Sequence, residues 1–184
     1  IHGSRDYFRI ADMENNVEFE IIPTLKVNNP EKAKNVTDLS YFHVNYVEKK
    51  IAKNKKLADE IRLAKAFAYY QNCYGAESYI SGFSGHVCDI LIIHHGSFLN
   101  LLAAAAEGED KKILDPELHL EDPEKQLNKA KRVSPLILVD PVQPDRNAAA
   151  ALSQEKYDRF REAARAFLDA PSERQRADRI AGDV

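Results

Sequence analysis

The sequence has few cysteines and no long hydrophobic run. Its two cysteines, Cys73 and Cys88, are too few for a disulfide framework or a zinc ribbon, so we expect a reducing, cytoplasmic setting. The most apolar stretch, "VCDILIIHH", is interrupted by Asp89 and by two histidines, and it falls short of the length that crosses a membrane. No signal peptide is visible. These absences predict a cytoplasmic protein without a membrane partner.

Neither sign of charge is in large excess. The 184 residues include 26 Lys and Arg against 29 Asp and Glu, a net charge of -3, so any contact with nucleic acid has to be a local patch. The lysine-rich segment 49–56, "KKIAKNKK", is either such a patch, facing RNA phosphates, or a solvated loop. An apolar content of 44% is typical of a globular protein with one substantial domain, or one small domain and part of another.

A β-hairpin is predicted over residues 5–25. The strand-like stretches "RDYFRI" and "VEFEIIPTL" flank the polar turn "ADMENN", and Pro23 ends the second strand. Glu18 and Glu20 lie two residues apart on this strand, so their side chains point to the same face. Such a pair is either a metal site of a phosphoryl-transfer enzyme, with Gly3-Ser4 on the preceding loop, or the charged face of an ordinary strand.

An irregular linker is expected over residues 27–40, which are rich in Asn, Pro and Lys. The next segment, "LADEIRLAKAFAYYQ", has helical periodicity, and Gly75 is the expected stop after it. Its apolar positions form one stripe: Leu57, Ile61, Ala64 and Ala68.

The second half of the chain predicts one long buried helix, one strand and one amphipathic helix. The long helix is "GFSGHVCDILIIHHGSFLNLLAAAA", followed by an exposed acidic loop over residues 107–132. "PLILVDPV" is a short buried strand stopped by Pro141, and Ser153 is the N-cap of the last helix. Residues 171–184 have too few apolar positions to pack and read as a loose tail. The pattern is that of an α+β protein.

Four segments together resemble one family. "HVNYV", "DEIRLAK", "CYGAESYISGFSGHVCDILIIHHGSF" and "DPVQPDRNAAAALSQEKYDRF" are similar, in this order, to the archaeal-type (class I) CCA-adding enzymes, which are tRNA nucleotidyltransferases. The similarity runs from about residue 5 to residue 168. It implies that the C-terminal remnant of a catalytic head (residues 1–40) precedes a mainly helical, oligoadenylate-synthetase-like central domain (residues 41–170), with the tail after it.

The resemblance also changes the interpretation of the paired glutamates. "VEFEIIP" aligns with a later strand of the family's head domain, which supplies the third carboxylate of the metal site, so Glu20 takes the catalytic and metal-binding role and Glu18 is a bystander. The family usually has Asp at this position, so Glu20 is longer by one methylene. The family's Gly-Ser loop and first two acids align upstream of residue 1, and the chain opens without an initiator Met. We therefore expect part of a longer protein, with negligible transferase activity alone.

The nucleotide-binding residues implied by the resemblance are spread along the chain. His43, Lys65 and Tyr74 match residues that bind the triphosphate, and Ala76 lies close to the nucleotide. Arg146 matches an arginine that reads the base together with tRNA phosphates. These types suit the task, because an imidazole, an ammonium and a phenol hydroxyl can each donate a hydrogen bond to a phosphate oxygen.

Other positions give weaker or no evidence of a binding site. Leu39 stands where the family often has Arg, so one phosphate or RNA contact is expected to be absent. His86, His94 and His95 have no spacing that suits zinc. Without the resemblance, Lys65 reads as a solvated helix lysine.

The implied reaction joins the 3′-hydroxyl of tRNA to the α-phosphate of CTP or ATP with two Mg²⁺ ions and releases pyrophosphate. The expected partners are the tRNA 3′ end, CTP and ATP, and a homodimer or a partner chain that supplies the missing acids. The alternative is a non-catalytic nucleotide- or RNA-binding module, or one half of a split enzyme.

Overall fold

A computed structural model describes residues 6–108 and 112–169. Helices dominate and the strands are short, so the α+β class predicted from the sequence is confirmed. In this described part of the chain, short 3₁₀ turns lie at Pro30–Lys32, Val36–Leu39 and Lys129–Arg132. The elements in chain order are β1 (Phe8–Asp12), β2 (Val17–Ile21), α1 (Ser40–Lys53), α2 (Leu57–Tyr70), α3 (Gly85–His95), α4 (Phe98–Ala106), β3 (Lys112–Leu114), α5 (Pro123–Gln126), β4 (Leu136–Leu138) and α6 (Gln154–Asp169).

The predicted hairpin is present. β1 pairs antiparallel with β2, and Arg9 lies opposite Glu20 in the register. The carboxylate of Asp12 accepts hydrogen bonds from the backbone N–H groups of Glu14 and Asn15, which fixes the turn. Apolar side chains on the hairpin remain accessible, with Phe8 69% and Phe19 53% exposed. The hairpin is therefore held by its own pairing rather than by a core.

The segment expected to be an irregular linker is ordered around one buried carboxylate. Asp38 is 3% exposed and accepts hydrogen bonds from the backbone N–H groups of Leu25 (2.7 Å), Lys34 (3.1 Å) and Asn35 (3.1 Å). The 3₁₀ turn over Val36–Leu39 follows and leads directly into α1. The loop reading of the lysine-rich segment is wrong for residues 49–53, because α1 continues to Lys53.

The helix predicted after residue 57 is confirmed as α2, and its four stripe residues are all buried. Its stop is different from the prediction. Asn72 takes the left-handed conformation (φ 52°) just after the helix, and the Cys73 N–H donates to the Ala68 carbonyl at 2.8 Å. Gly75 lies beyond this stop, beside a single parallel bridge between Tyr74 and Phe83.

The long buried helix predicted after residue 82 is two helices, α3 and α4, that meet at 93°. Gly96 ends α3 in the left-handed conformation (φ 81°), and the Ser97 hydroxyl accepts from the Asn100 N–H at 3.2 Å as the N-cap of α4. No single helix among the described residues is long and apolar enough to cross a membrane, although α3 and α4 taken together would be by length and composition.

The segment predicted as an exposed acidic loop, residues 107–132, contains β3 and α5. β3 pairs in parallel with β4, the strand predicted from "PLILVDPV", so that Ile113 lies opposite Ile137. The Asn147 side chain secures β4 from the other side: its Oδ1 accepts from the Leu138 N–H at 3.0 Å and its Nδ2 donates to the Leu136 carbonyl at 3.2 Å.

The last predicted helix is confirmed as α6, with the Ser153 hydroxyl accepting from the Lys156 N–H at 3.3 Å. Tyr157, Phe160 and Ala164 on its inner face join the main core, to which α2, α3, α4 and β4 also contribute. The tail predicted for residues 171–184 lies outside the described part of the chain. This core holds α3 at the centre of the helical region, where its first turn faces the predicted nucleotide-binding residues.

Candidate nucleotide-binding site

The first turn of α3 is the centre of the candidate site. The Ser84 hydroxyl caps the helix by accepting from the Val87 N–H at 3.2 Å. The first N–H groups of any α-helix have no acceptor within the helix, and the aligned peptide dipoles give this end a partial positive charge. A helix start of this kind favours an anionic ligand.

Lys65 and Tyr74 both reach this helix end. A Cβ atom placed on Gly85 would lie 2.9 Å from the Tyr74 hydroxyl oxygen and 3.8 Å from the Lys65 Nζ. The two predicted triphosphate-binding groups are therefore neighbours of the same glycine, and they approach it from α2 and from the segment after α2. Ala76 is exposed two residues beyond Tyr74.

A close backbone contact holds Tyr74 in this position. The Phe83 N–H donates to the Cys73 carbonyl at 2.6 Å, and the Gly75 N–H donates to the Phe83 carbonyl at 2.8 Å. Gly82 makes the approach possible, because a Cβ atom there would lie 2.1 Å from the Cys73 oxygen. The chain after α2 is thus bound to the chain that enters α3.

Asp89 orients the Lys65 ammonium. Its Oδ1 lies 2.8 Å from Nζ, and both side chains are largely covered, Lys65 34% and Asp89 15% exposed. Burial opposes the charge on Lys65, but the hydrogen bond and the charge of Asp89 outweigh it and raise the pKa of the lysine. Burial also raises the pKa of Asp89, in spite of the lysine beside it. Lys65 is therefore charged at neutral pH and directed along one face of α3.

Asp140 joins the other two predicted residues. Its carboxylate is fully buried; Oδ2 lies 3.1 Å from the His43 Nε2 and accepts a hydrogen bond from the Arg146 Nη1. Burial opposes ionisation of Asp140, but the hydrogen bond and charge of His43, the Val142 N–H and the charge of Arg146 outweigh it and lower the pKa well below its usual range. Asp140 is an anion that binds two cationic or donor groups from different parts of the chain.

His86 links this group to the helix end. Its ring stacks on that of His43, with centroids 4.0 Å apart and planes tilted by 32°. Burial, and next the neighbouring His43, lower the pKa of His86 to about 4, so it is neutral at pH 7. Since His86 directly follows Gly85, the Lys65 and Tyr74 pair and the His43 and Arg146 pair border the same turn of α3.

Three of these side chains also have the types found in metal sites. One ligand atom each from His43, His86 and Asp140 lies within 4.8 Å of the others. The sequence did not predict this group, because there His86 was compared only with His94 and His95. Both oxygens of Asp140, however, already have hydrogen-bond donors. Its Oδ1 accepts from the backbone N–H groups of Val142 (2.9 Å) and Gln143 (3.3 Å), while Oδ2 faces His43 and Arg146. With the positive Arg146 adjacent, this is a hydrogen-bonded cluster that suits an anionic ligand better than a divalent cation.

Glu20 lies elsewhere, on the hairpin. As predicted, Glu18 and Glu20 share one face of β2, and both pair with Arg9, whose Nη2 is 3.3 Å from the Glu20 Oε1. Carboxylate oxygens are ligands that Mg²⁺ accepts, and the two glutamates already converge on a cation. They fit a positive ion in chemistry, but the guanidinium occupies the space between them, and the structure does not bring Glu20 to the first turn of α3.

The sequence predicted the donor side chains of this candidate site and missed the groups that contact them in the structure. The sequence placed His43, Lys65, Tyr74 and Arg146 in one site, and the structure gathers them around α3. The residues that the sequence did not predict cap the helix, leave room at its first turn, or contact the predicted donors. They are Ser84, Gly85, His86, Asp89 and Asp140. Asp140 carries a signal, since a buried strand that ends in Asp-Pro leaves a carboxylate at its end.

The chain is similar to known proteins over most of its length. Residues 59–175 match the family model described as tRNA nucleotidyltransferase, second domain. The chain is 42% identical over 160 residues to a CCA-adding enzyme of Nanoarchaeum equitans, covering 85% of this chain and 40% of that protein. It is 41% identical over 160 residues to one of Pyrococcus abyssi (84% and 35%) and 35% identical over 176 residues to one of Saccharolobus shibatae (92% and 40%). The chain thus spans well under half the length of these relatives.

Proposed function

This chain belongs to the tRNA nucleotidyltransferase family that includes the archaeal CCA-adding enzymes, and on that premise we propose that it supplies the nucleotide-binding part of such an enzyme. Residues 1–40 would be the end of the catalytic head, residues 41–170 the central domain and residues 171–184 a tail. The match to the second-domain family model over residues 59–175 supports the placing of the central domain.

The observation that carries the proposal is the convergence of Lys65 and Tyr74 on the N-terminus of α3. There the Lys65 ammonium, the Tyr74 hydroxyl and the first N–H groups of the helix would together donate to the triphosphate of CTP or ATP. His43 would add its ring from the neighbouring face of the same turn. The ammonium, the hydroxyl and the amide N–H groups are donors, and a triphosphate offers only acceptors.

Arg146 would contact the base. It is about one-third exposed, while Asp140 holds one of its terminal nitrogens, so its remaining N–H groups are available to base acceptors and to RNA phosphate. Ala76, small and exposed next to Tyr74, would border the nucleotide without contacting phosphate.

Glu20 would serve the metal. A bound Mg²⁺ would supply positive charge against the negative charge that develops during transfer. Glu20 is the residue of this chain that would hold it, and that role requires Arg9 to release the Glu20 carboxylate. The tRNA 3′-hydroxyl would then be joined to the α-phosphate, with pyrophosphate released. A homodimer or a partner chain, and a cytoplasmic location, stay predictions of the sequence.

The proposal is tested by titrating the 184-residue chain with CTP and with ATP in a calorimeter at low ionic strength. Lys65→Ala and Tyr74→Phe should each weaken binding by about tenfold, the loss expected for one hydrogen bond to a charged group. Arg62→Ala, one turn earlier on α2 and exposed, and Tyr79→Phe, 85% exposed, are the matched controls.

Two outcomes would count against the proposal. If all four variants bind like the wild type, the ligand lies elsewhere. If inorganic tripolyphosphate binds as tightly as CTP and ATP, and GTP and UTP bind equally well, the chain recognises phosphate alone. The alternative of a non-catalytic binding module would then describe it better.

A further inference from the structure

We infer that Asp140 is a positioning residue that couples the triphosphate-binding side of the site to its base-reading side. The inference rests on the proposed function, in which His43 serves the triphosphate and Arg146 the base. Asp140 contacts both side chains with the same oxygen, Oδ2, while the two residues it joins lie 103 positions apart in the sequence, at 43 and 146.

The position of Asp140 is fixed independently of its two partners. It follows β4, and its carboxylate is 0% exposed. Its Oδ1 accepts from the backbone N–H groups of Val142 and Gln143, which orients the carboxyl plane. The backbone closes on the same point: the Asp140 N–H donates to the Arg146 carbonyl at 3.0 Å, and the Arg146 N–H donates to the Gln143 carbonyl at 2.9 Å.

Asp140 acts through its neighbours and does not contact the nucleotide. Its two oxygens accept from four donors, which matches the number of lone-pair directions that a carboxylate offers. A buried anion would also repel a triphosphate if the two met directly. Its negative charge instead attracts the Arg146 guanidinium and accepts a hydrogen bond from the His43 ring at the same oxygen.

This arrangement makes the two sides of the site depend on each other. The His43 ring is held by Asp140 on its edge and by His86 on its face. The Arg146 guanidinium, 30% exposed, is held by Asp140 at one nitrogen. A change in either partner is transmitted to the other through the shared oxygen, so triphosphate binding and base recognition should be energetically coupled.

The direct test is Asp140→Asn in the full 184-residue chain. Asn keeps the shape and an oxygen for the two backbone N–H groups, but its amide NH₂ faces the donors His43 and Arg146 and removes the charge. Binding of CTP and of inorganic tripolyphosphate should both weaken, by about tenfold or more, because both partners lose their acceptor. Asp145→Asn, exposed in the same loop, is the matched control and should bind both probes like the wild type.

Arg146→Ala separates positioning from direct contact. It should weaken CTP binding much more than tripolyphosphate binding, since Arg146 is assigned to the base. Wild-type affinity for both probes in Asp140→Asn, with unchanged thermal unfolding, would overturn the inference. Absence of nucleotide binding in the wild-type chain would instead overturn the proposed function, so the two failures are distinguishable.

A second measurement leaves Asp140 in place, in case Asp140→Asn does not fold. His43→Ala, Arg146→Ala and the double variant form a double-mutant cycle for CTP binding. Coupling through Asp140 predicts that the double variant loses clearly less or more affinity than the product of the single losses, by a factor of about three or more. Additive losses would show that the two sides act independently, and they would overturn the inference.

Discussion

Gly85 shows what a missing side chain contributes to the site. It is the first residue of α3, and a Cβ atom there would lie close to both the Tyr74 hydroxyl and the Lys65 ammonium, at the helix end that an anionic ligand would approach. Its backbone does not need glycine for conformational reasons, since its φ is in the ordinary range. Its role is to leave room for a ligand beside Tyr74 and Lys65.

Gly85→Ala should therefore reduce nucleotide binding while leaving the fold intact. A Cβ atom 2.9 Å from the Tyr74 oxygen would force that hydroxyl to shift, and alanine is the better helix former. We expect CTP affinity to fall by about tenfold, as for the loss of one hydrogen bond to a charged group, with the melting temperature unchanged or raised. Calorimetric titration and thermal unfolding monitored by circular dichroism give the two readouts. A variant that binds CTP normally would contradict this role for the space at Gly85.

At this scale the sequence predicted side chains that lie together in the structure, and it missed the carboxylates that contact them. Lys65 and Tyr74 are donors in a recognisable motif, and the structure places them together. Asp89 and Asp140 were not assigned to the site, because their partners Lys65 and His43 lie 24 and 97 positions away and the sequence does not show which side chains a carboxylate meets. For Glu20, the hairpin geometry was predicted correctly, whereas its catalytic role stays a prediction.

At the scale of elements, the break between α3 and α4 determines the shape of the core. Gly96 turns the chain through a left-handed conformation, and Ser97 then caps a helix that leaves at 93°. No heavy atom of residues 6–108 and 112–169 lies within 4 Å of the place where a Gly96 Cβ atom would be, so among these residues a substitution meets conformational strain alone.

Gly96→Ala should lower the free energy of unfolding by about 1 kcal/mol, because a side chain disfavours the left-handed conformation. Gly96→Asn is the matched control, since asparagine tolerates this conformation better and should lose less. Urea unfolding of the two variants and the wild type measures the difference. If both variants lost nothing, the 93° break would not depend on the glycine.

The elements that the sequence missed are those without a periodic signal. The apolar stretch from Val87 to Ala106 is hydrophobic on both sides of Gly96, so composition alone predicted one continuous helix. β3 has three residues, too few to show alternation, and it exists because β4 offers a parallel partner. α2 and α6 were found because their apolar stripes are long enough to display the period of a helix.

For the whole molecule, two histidines make the fold sensitive to acid. Burial, followed by the neighbouring His43, lowers the pKa of His86 to about 4; burial, His94 and Lys112 do the same for His95. An unfolded histidine has a pKa of about 6.5. Between about pH 6.5 and pH 4 the unfolded chain therefore binds protons that the folded chain does not, and stability falls as the pH falls through this window.

The melting temperature should accordingly rise from pH 4.5 to pH 7, by several degrees. His95→Gln should flatten this rise, because one of the groups with a lowered pKa no longer titrates, and His119→Gln, which replaces an exposed histidine, is the control. The measurement is thermal unfolding of the three proteins at half-unit intervals of pH. An equal slope in all three would rule out a contribution from His95.

The exposed hairpin has a consequence for how the molecule opens. β1 and β2 are secured by pairing with each other, and an isolated two-stranded hairpin is marginally stable in water. Its amide hydrogens should exchange with deuterated solvent through local opening, within seconds to minutes, while those of α3 and β4 exchange only when the core unfolds. Glu20 and the residues around α3 thus lie in two separate cooperative units of one chain, and the unit that holds Glu20 can change its conformation without any loss of the core.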